Sequence, residues 1–336
     1  MNYLSIKTTI LALAIFSISS VQAEWKFGVS LGLTNIDYEL SEAYADVGGI
    51  DVDSTDDVDE DAELYTNNNS YSAPEFIIDL RNGKHAFSYK IANGDISGWD
   101  DSQVPAIDPA DYNLGYSNDV EREEWTFSYA YSLSNNWSLS VGAYEGTVIR
   151  DYFRNYNESY NPGTISAYTW TTSNDGITET TSKGTFAAIA YQDKISDNVF
   201  WFAKVGYQDN ELISIDNWTY TDTFTAEDAG YGAYVIDFLN QQYGMDNGVL
   251  SYNRGNKATS EGSSTVIGLG FVYAFNASDT LTLEFESKAY SYDAGTYSAT
   301  PCTSTTTICD LINPQDFDAI SDESASYVTL RYRHSF

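Results

Sequence analysis

Acidic side chains in the first part of the chain are the densest candidates for binding chemistry. Twelve Asp and Glu residues lie between Asp37 and Glu63. Clustered carboxylates bind Ca²⁺ and Mg²⁺. EF-hand spacing is absent, because Asp56 stands where the loop needs Gly and Ala62 where it needs Glu. A hydrated acidic loop held open by charge repulsion is the favoured interpretation. The alternative is weak binding of a divalent cation, with these candidate ligands: Asp51, Asp53, Asp56, Asp57 and Asp59.

Two cysteines, Cys302 and Cys309, lie close together in the polar stretch PCTSTTTICD. In an exported protein such a pair predicts a disulfide that closes a small loop. Two free thiols are the alternative. A zinc site is disfavoured, because the only histidines are His85 and His334 and neither lies nearby. No other cofactor is predicted.

Export itself is predicted by the first 23 residues. Lys7 precedes the apolar stretch from Thr8 to Ser17, and Val21-Gln22-Ala23 follows. This order of charge, apolar run and small residues is typical of a signal peptide, and the run is too short to span a bilayer. We therefore expect cleavage after Ala23 and a mature domain of residues 24–336.

The elements that position these residues are alternating strands. Ten segments of about ten residues alternate apolar with polar or small side chains, from Trp25–Leu33 at one end to Val328–Phe336 at the other. This period of two predicts an all-β protein. Four connections are short: Arg81–His85, Ser134–Asn136, Asp193–Asn198 and Asn276–Asp279. Five are long: about 40–70, 96–120, 150–182, 214–260 and 293–324.

Short and long connections alternate without exception, which places both chain ends at the end with the tight turns. Transmembrane β-barrels have this arrangement, with an even strand number, short periplasmic turns and long extracellular loops. The sequence thus predicts a closed antiparallel transmembrane β-barrel of about ten strands. Twelve strands would result if the fourth long loop contained another strand pair.

The two faces of the predicted strands have opposite chemistry. One carries Val, Leu, Ile, Phe, Tyr and Trp, and the other carries Gly, Ser, Thr, Ala and most of the charged residues in the strands. So many large rings would overfill a small barrel, so the apolar face is expected to contact lipid and the polar face to line the lumen. The lumen candidates are Glu75, Asp79, Lys90, Lys204, Glu284, Glu286, Lys288, Arg331 and Arg333. Their mixed signs predict ion pairs and a narrow or plugged lumen. Glu284, Glu286 and Lys288 lie on one predicted strand and Arg331 and Arg333 on its hairpin neighbour, so pairs between these two strands are expected.

The carboxyl-terminal strand carries a family resemblance. Val328, Leu330, Tyr332 and Phe336 share one face, and Phe336 is the last residue. In these features the whole mature chain resembles Gram-negative outer-membrane β-barrel proteins. The resemblance implies that these four residues form a signal for the barrel assembly machinery, from which His334 departs because an apolar residue is usual there. It also implies the outer membrane as the location.

Partners and activity follow from charge and from the resemblance. A net charge of −33 disfavours nucleic acid, because phosphate would be repelled. Outer-membrane lipid and lipopolysaccharide are expected partners, the latter through divalent ions at the acidic loop. Enzymes of the resembled class use a histidine, whereas both histidines here are predicted near the periplasmic turns. The sequence therefore predicts no enzyme.

Two further stretches of the long loops carry local predictions. Asn174-Asp175-Gly176 is a strong turn signal and predicts the tip of an extended hairpin, in which the fifth and sixth strands continue beyond the membrane. The stretch from Tyr231 to Tyr243 has helical spacing with Gly244 as a stop, which is compatible with a short helix that caps or enters the barrel mouth. Ordinary loop packing is the favoured alternative. A narrow channel, a receptor or adhesin acting through acidic and Tyr-rich loops, and a purely structural barrel stay open as functions.

Overall fold

The structure is a computed structural model that describes residues 25–44, 65–96, 115–160, 168–226, 231–292, 295–299, 302–304 and 317–336. The predicted signal peptide, the five candidate carboxylates of the acidic loop and Cys309 lie outside these ranges. The strands are β1 (Lys26–Tyr44), β2 (Tyr65–Asn82), β3 (His85–Ile96), β4 (Gly115–Ser132), β5 (Trp137–Tyr160), β6 (Tyr168–Lys194), β7 (Val199–Ala226), β8 (Val249–Ala274), β9 (Asp279–Tyr292), β10 (Gly295–Ala299), β11 (Thr303–Ser304) and β12 (Phe317–Ser335), with one helix, α1 (Tyr231–Tyr243).

Ten of these strands, β1 to β9 and β12, form a closed antiparallel barrel. Each pairs with its neighbour in the chain, and β1 pairs with β12 from Gly28↔Ser335 to Tyr44↔Ala319. The Phe336 amide donates a hydrogen bond to the Phe27 carbonyl at 2.8 Å. Closure leaves no unpaired edge, which is the condition for β-structure in hydrocarbon. The prediction of a ten-stranded barrel is confirmed.

The four short connections join β2 to β3, β4 to β5, β6 to β7 and β8 to β9. We call this side of the barrel the turn end, and the opposite side the loop end. Trp25 and Phe336, the first and last described residues, both lie at the turn end, as predicted for the ends of the mature domain. Within the described ranges, no helix combines the length and apolar character needed to cross a membrane.

Two short strands are present besides the ten of the barrel, but they do not lie in the fourth long connection, where the twelve-strand alternative placed them. The fourth long connection contains α1, so the helical alternative is correct and the favoured loop packing is wrong. Gly244 lies just after the helix with a positive φ of 65°. The short strands β10 and β11 lie instead in the last long connection and pair with the loop end of β8. Because β9 is short, β8 and β12 continue past its end, and β10 pairs with both.

The predicted turn at Asn174-Asp175-Gly176 is wrong. These residues lie inside β6, where Asn174 pairs with Arg154 and Gly176 with Tyr152 of β5. A Cβ at Gly176 would lie 2.4 Å from the Tyr152 ring. Gly176 therefore does not form a turn. It leaves space for the Tyr152 ring on the neighbouring strand, which is a recognised use of Gly within strands.

Several strands extend far beyond the segments of about ten residues; this extension was predicted for the fifth and sixth strands, and their pairing out to Tyr160↔Tyr168 confirms it. β5 to β8 have 24, 27, 28 and 26 residues, whereas β3 has 12 and β9 has 14. About 9–11 residues suffice to cross a bilayer as a tilted strand. The parts predicted as loops at 150–182 and 214–260 are thus largely a four-stranded sheet that rises above one side of the barrel.

Candidate functional site

A change of chemistry on the outer surface marks where the strands leave the membrane. Along β7 the outward row runs from Val199 to Tyr207 and is apolar, and Asp209 then follows. The next outward residues of β5 to β8 are charged and stand side by side in register: Glu145, Lys183, Glu211 and Glu261. Lys183 and Glu211 form an exposed ion pair at 3.2 Å. We call these four residues the charged row, and the strand parts beyond it (146–160, 168–182, 212–226 and 249–260) the extramembrane sheet.

All nine lumen candidates lie on the inner face of the barrel strands, below the charged row. Glu75, Asp79, Glu284 and Lys288 are buried. Lys90 faces an internal cavity. The remaining four, Lys204, Glu286, Arg331 and Arg333, are engaged in ion pairs.

One set of ion pairs crosses the barrel seam. Arg333 of β12 pairs with Asp79 of β2 at 2.7 Å, and Arg331 pairs with Glu75. β1 lies between these two strands, and its inward positions Gly28 and Gly32 leave room for the side chains above it. A Cβ on Gly28 would lie 2.6 Å from both Arg333 and Asp79, and one on Gly32 would lie 2.6 Å from Glu75. The glycines thus let charged side chains bridge β12 and β2 over β1.

A second set of ion pairs bridges β7 and β9 over β8, which lies between them. Lys204 of β7 pairs with Glu284 at 2.7 Å and with Glu286, both on β9. Lys288 approaches Glu286 to 3.5 Å, and Arg331 links this set to the first through Glu284 at 3.4 Å. The carboxylates share partners, so each buried charge is compensated, as a low-dielectric interior requires.

Sequence reasoning missed one charged pair in the lumen. Arg122 and Glu124 of β4 form a buried ion pair at 2.6 Å. Both residues have the same parity as Thr126 and Ser128 on the inner face of β4. Extending the alternation of that strand by two positions toward its loop end would have identified them.

Between these pairs the lumen holds a cavity of about 290 Å³. Its lining is polar on the β3 to β5 side, with Lys90, Ser88, Thr126, Ser128 and Ser140. Closer to the turns, the inward residues on this side are small: Ala86, Ala130, Ser138 and Ala190. The cavity therefore lies over a part of the turn end that large side chains do not fill.

Above the cavity the lumen is filled by apolar and tyrosine side chains, which we call the septum. One cluster comprises Ile36, Tyr71, Ala73, Ala92, Ile96, Val120, Val148, Ala325 and Tyr327. The other comprises Tyr144, Leu212, Tyr290 and Tyr292, with Phe186 packed against it. Together they come from nine of the ten barrel strands. Ile36 and Val120 are only 1% exposed, so water does not reach them.

The septum lies at the upper edge of the membrane belt, because Tyr144 is the sequence neighbour of Glu145 in the charged row. Tyr327 connects it to the charges below. Its hydroxyl donates to Glu124 at 3.3 Å, and the Lys288 ammonium lies 4.7 Å from its ring centre. The predicted polar lumen is thus correct for the turn half, whereas the sequence analysis did not anticipate the apolar septum above it.

The histidines lie at the turn end. His85 Nδ1 is 2.8 Å from the Tyr129 hydroxyl, and His334 Nδ1 is 2.7 Å from Asp279. The His334 ring also packs edge-on against Phe336. Val328, Leu330, Tyr332 and Phe336 are exposed on the outer surface, in the position of lipid-facing residues. Their role as an assembly signal stays a prediction.

The candidate metal ligands and the predicted disulfide lie wholly or partly outside the described residues. No group of three or more potential metal ligands occurs in the described part of the chain. Cys302 has no free thiol, but its predicted partner Cys309 is outside the described ranges, so the pairing stays a prediction.

Closure without an edge, an apolar outer belt of one bilayer's width and a charged interior define the class. The chain has the fold of Gram-negative outer-membrane β-barrels. No family model matches the sequence, and no curated protein matches it either.

Among solved structures, the fold is similar to that of the outer membrane protease OmpT from Escherichia coli. The TM-score is 0.51 at 10% sequence identity, and the alignment covers 93% of this chain and 97% of that chain. An identity this low shows the fold alone. The Ralstonia pickettii toluene transporter TbuX aligns with a TM-score of 0.32 at 11% identity, covering 93% and 90% of the two chains. A Pseudomonas aeruginosa FadL homologue aligns with a TM-score of 0.28 at 9% identity, covering 92% and 90%. These two scores are too low to add to the conclusion.

Proposed function

We propose that the protein is an outer-membrane barrel with a closed lumen, which passes at most small ions during rare openings of the septum. The observation that carries this proposal is the septum itself. Two clusters of buried apolar and tyrosine side chains, from eight of the ten barrel strands, occupy the interior at this level. Hydrophobic constrictions of this kind close pores by excluding water.

The ion pairs below the septum support the same function. Lys204 of β7 and Arg331 of β12 each form an ion pair with Glu284 of β9, so these charges are paired on the inner wall of the barrel. A ten-stranded barrel is also only slightly wider than one whose interior side chains fill it. A general diffusion pore is therefore disfavoured by both layers.

Orientation and assembly belong to the same proposal. The turn end faces the periplasm and the extramembrane sheet faces outward, in the manner of the class. The acidic loop then faces the lipopolysaccharide, where divalent ions can bridge carboxylate and phosphate. The strand that ends in Phe336 is presented to the barrel assembly machinery. Both histidines lie at the turn end, remote from the extramembrane sheet, and we propose no catalytic role for the protein.

Planar-bilayer recording tests the barrier. The unmodified protein should give a small or intermittent current. Replacing Tyr327 by Ala removes the ring that joins the septum to the charge layer, and a steady current several times larger is expected. Tyr234→Ala, on an exposed ring of α1, is the matched control and should leave the current unchanged.

Two results would contradict the proposal. A large and steady current from the unmodified protein would indicate a general porin. An unchanged current from folded Tyr327→Ala, combined with Ile36→Ser to admit water, would mean that the septum is not the barrier. Heat-modifiable gel mobility shows in each case that the barrel is folded.

A further inference from the structure

The inner face of the extramembrane sheet has a composition unlike the lumen below it. Along β7, alternate residues from 216 to 224 are Asp, Trp, Tyr, Asp and Phe, and these face inward. The residues between them are Asn217, Thr219, Thr221 and Thr223, on the outer face. Rings and carboxylates therefore concentrate on one surface, beyond the membrane and above the septum.

Two aromatic pairs stand on this face across neighbouring strands. Trp170 of β6 and Phe224 of β7 have parallel rings with centroids 5.9 Å apart. Tyr220 of β7 and Tyr252 of β8 stack at 5.3 Å with an interplanar angle of 28°. Phe224 lies four positions after Tyr220, so the two pairs are roughly 13 Å apart along the strand. All four rings are partly exposed.

A buried carboxylate lies midway between the two pairs. Asp222 accepts hydrogen bonds from Trp170 Nε1 at 2.8 Å and from Thr172 Oγ1 at 2.6 Å. Both bonds end on Oδ1, so they fix the carboxylate and leave the acceptor capacity of Oδ2 for another donor. Burial raises the pKa of Tyr252 to about 12, so its hydroxyl is neutral and can donate. We call Trp170, Phe224, Asp222, Tyr220 and Tyr252 the ladder.

Around the ladder, the inner face of the extramembrane sheet carries positive and negative side chains and one hydrogen-bond acceptor without a partner among the described residues. Asp216 accepts from Thr178 Oγ1 at 3.0 Å, and Arg150 donates to the same hydroxyl at 3.1 Å. Asn174, opposite Tyr220, has a buried Oδ1 without a hydrogen-bond partner among the described residues. A buried acceptor in that state costs free energy unless water or a ligand satisfies it.

From this arrangement we propose that the ladder binds a neutral carbohydrate chain at the cell surface. Sugar rings present C–H faces that pack on aromatic rings, and hydroxyls that donate to fixed carboxylates and amides. Concave sites with aromatic walls and a few fixed polar groups are the usual form of small-molecule sites. The distance between the aromatic pairs suits a short oligosaccharide with one unit on each pair and the segment between them over Asp222. The mixed charge of the face disfavours a strongly charged ligand.

Sugar binding by the ladder goes beyond the closed-lumen function and shares with it only the proposed orientation, in which the loop end faces outward. The test uses the full mature chain, folded in detergent micelles, on an array of neutral oligosaccharides with an oligolysine peptide as a second probe. We expect saturable binding to a neutral oligosaccharide, quenching of tryptophan fluorescence, and no preference for the peptide.

Variants connect the binding to the ladder. Tyr220→Ala and Asp222→Asn should each weaken the affinity about tenfold, the usual scale for one ring contact or one hydrogen bond to a charged group. Thr221→Ala, on the opposite face of the same strand, should bind as the unmodified protein does. Binding to oligolysine alone, no binding to any neutral oligosaccharide, or equal affinity of all three folded variants would overturn the proposal. Current recordings of the same variants should stay unchanged.

Discussion

The membrane half of the barrel and the extramembrane sheet are built from the same strands with opposite polarity. In the lower part of β7, Val205 and Tyr207 point outward and Lys204 and Gln208 point inward. In its upper part, Tyr220 and Phe224 point inward and threonines point outward. The period of two runs through both parts without a break, and only the assignment of polarity to faces reverses.

The medium outside the strand causes this reversal. Where lipid surrounds the barrel, a polar outer side chain is costly, and charges are confined to the lumen, where they pair. Beyond the charged row the outer face contacts water, so threonine is suitable there, and rings gain free energy by packing on the inner face. The difference teaches that alternation identifies a strand, whereas the polarity of each face identifies its surroundings.

The largest expected effect tests this contrast on one strand. Ile189 and Ile177 are both outward residues of β6, twelve positions apart, on either side of the charged row. Ile189→Lys places a charge against lipid and should lower the free energy of unfolding by about 2–4 kcal/mol. Ile177→Lys contacts water and should change it by less than about 0.5 kcal/mol. Urea unfolding in lipid vesicles measures both, and equal effects would contradict the assigned belt.

A second, smaller effect on the free energy of unfolding distinguishes the interior of the membrane half from that of the extramembrane sheet. Gly32→Ala introduces a Cβ at the place of the Glu75 side chain and disturbs its ion pair with Arg331. We expect a loss of about 1–3 kcal/mol in the free energy of unfolding, the range for an overpacked interior. Gly146→Ala is the control, because the nearest atom to its added Cβ is 3.4 Å away. If both variants unfold alike, the seam ion pairs do not stabilise closure.

The smallest effect concerns pH and Asp222. Burial raises the pKa of this carboxyl, and outweighs the hydrogen bonds from Thr172 and Trp170 that lower it. The folded state therefore binds the proton more tightly than the unfolded state. Its contribution to stability is present below the unfolded pKa and is lost as the pH rises through the folded pKa.

Asp222→Asn should remove this dependence, so that the difference in unfolding midpoint between variant and unmodified protein increases with pH over that window. Asp175→Asn, at an exposed outward site of β6, serves as the control. A pH-independent difference for Asp222→Asn would refute the assignment.

Much of the fold could be predicted from single residues and their spacing. The alternation around Phe271 and Leu283 predicted strands, the turns near Asn135 and Ser196 predicted hairpins, and the helical spacing after Tyr231 was compatible with α1. These features depend on local geometry alone, because side chains alternate in strands and recur every three to four residues in helices. Local signals failed where a distant neighbour decided the conformation. Gly176 is within a strand because the Tyr152 ring occupies the space above it.

In the candidate site, too, local sequence predicted some features and distant contacts decided the others. By itself, the sequence determined that the barrel has ten strands, that rings face lipid, and that charges such as Lys204 and Arg331 face the lumen, since these follow from period and polarity along one strand. Only the tertiary structure decided which charges meet. Arg333 was expected to pair with its hairpin neighbour β9, and it reaches Asp79 across β1 instead. The septum likewise required the barrel to close, because Ile36 and Val120 become neighbours only when the strands that carry them curve around one axis.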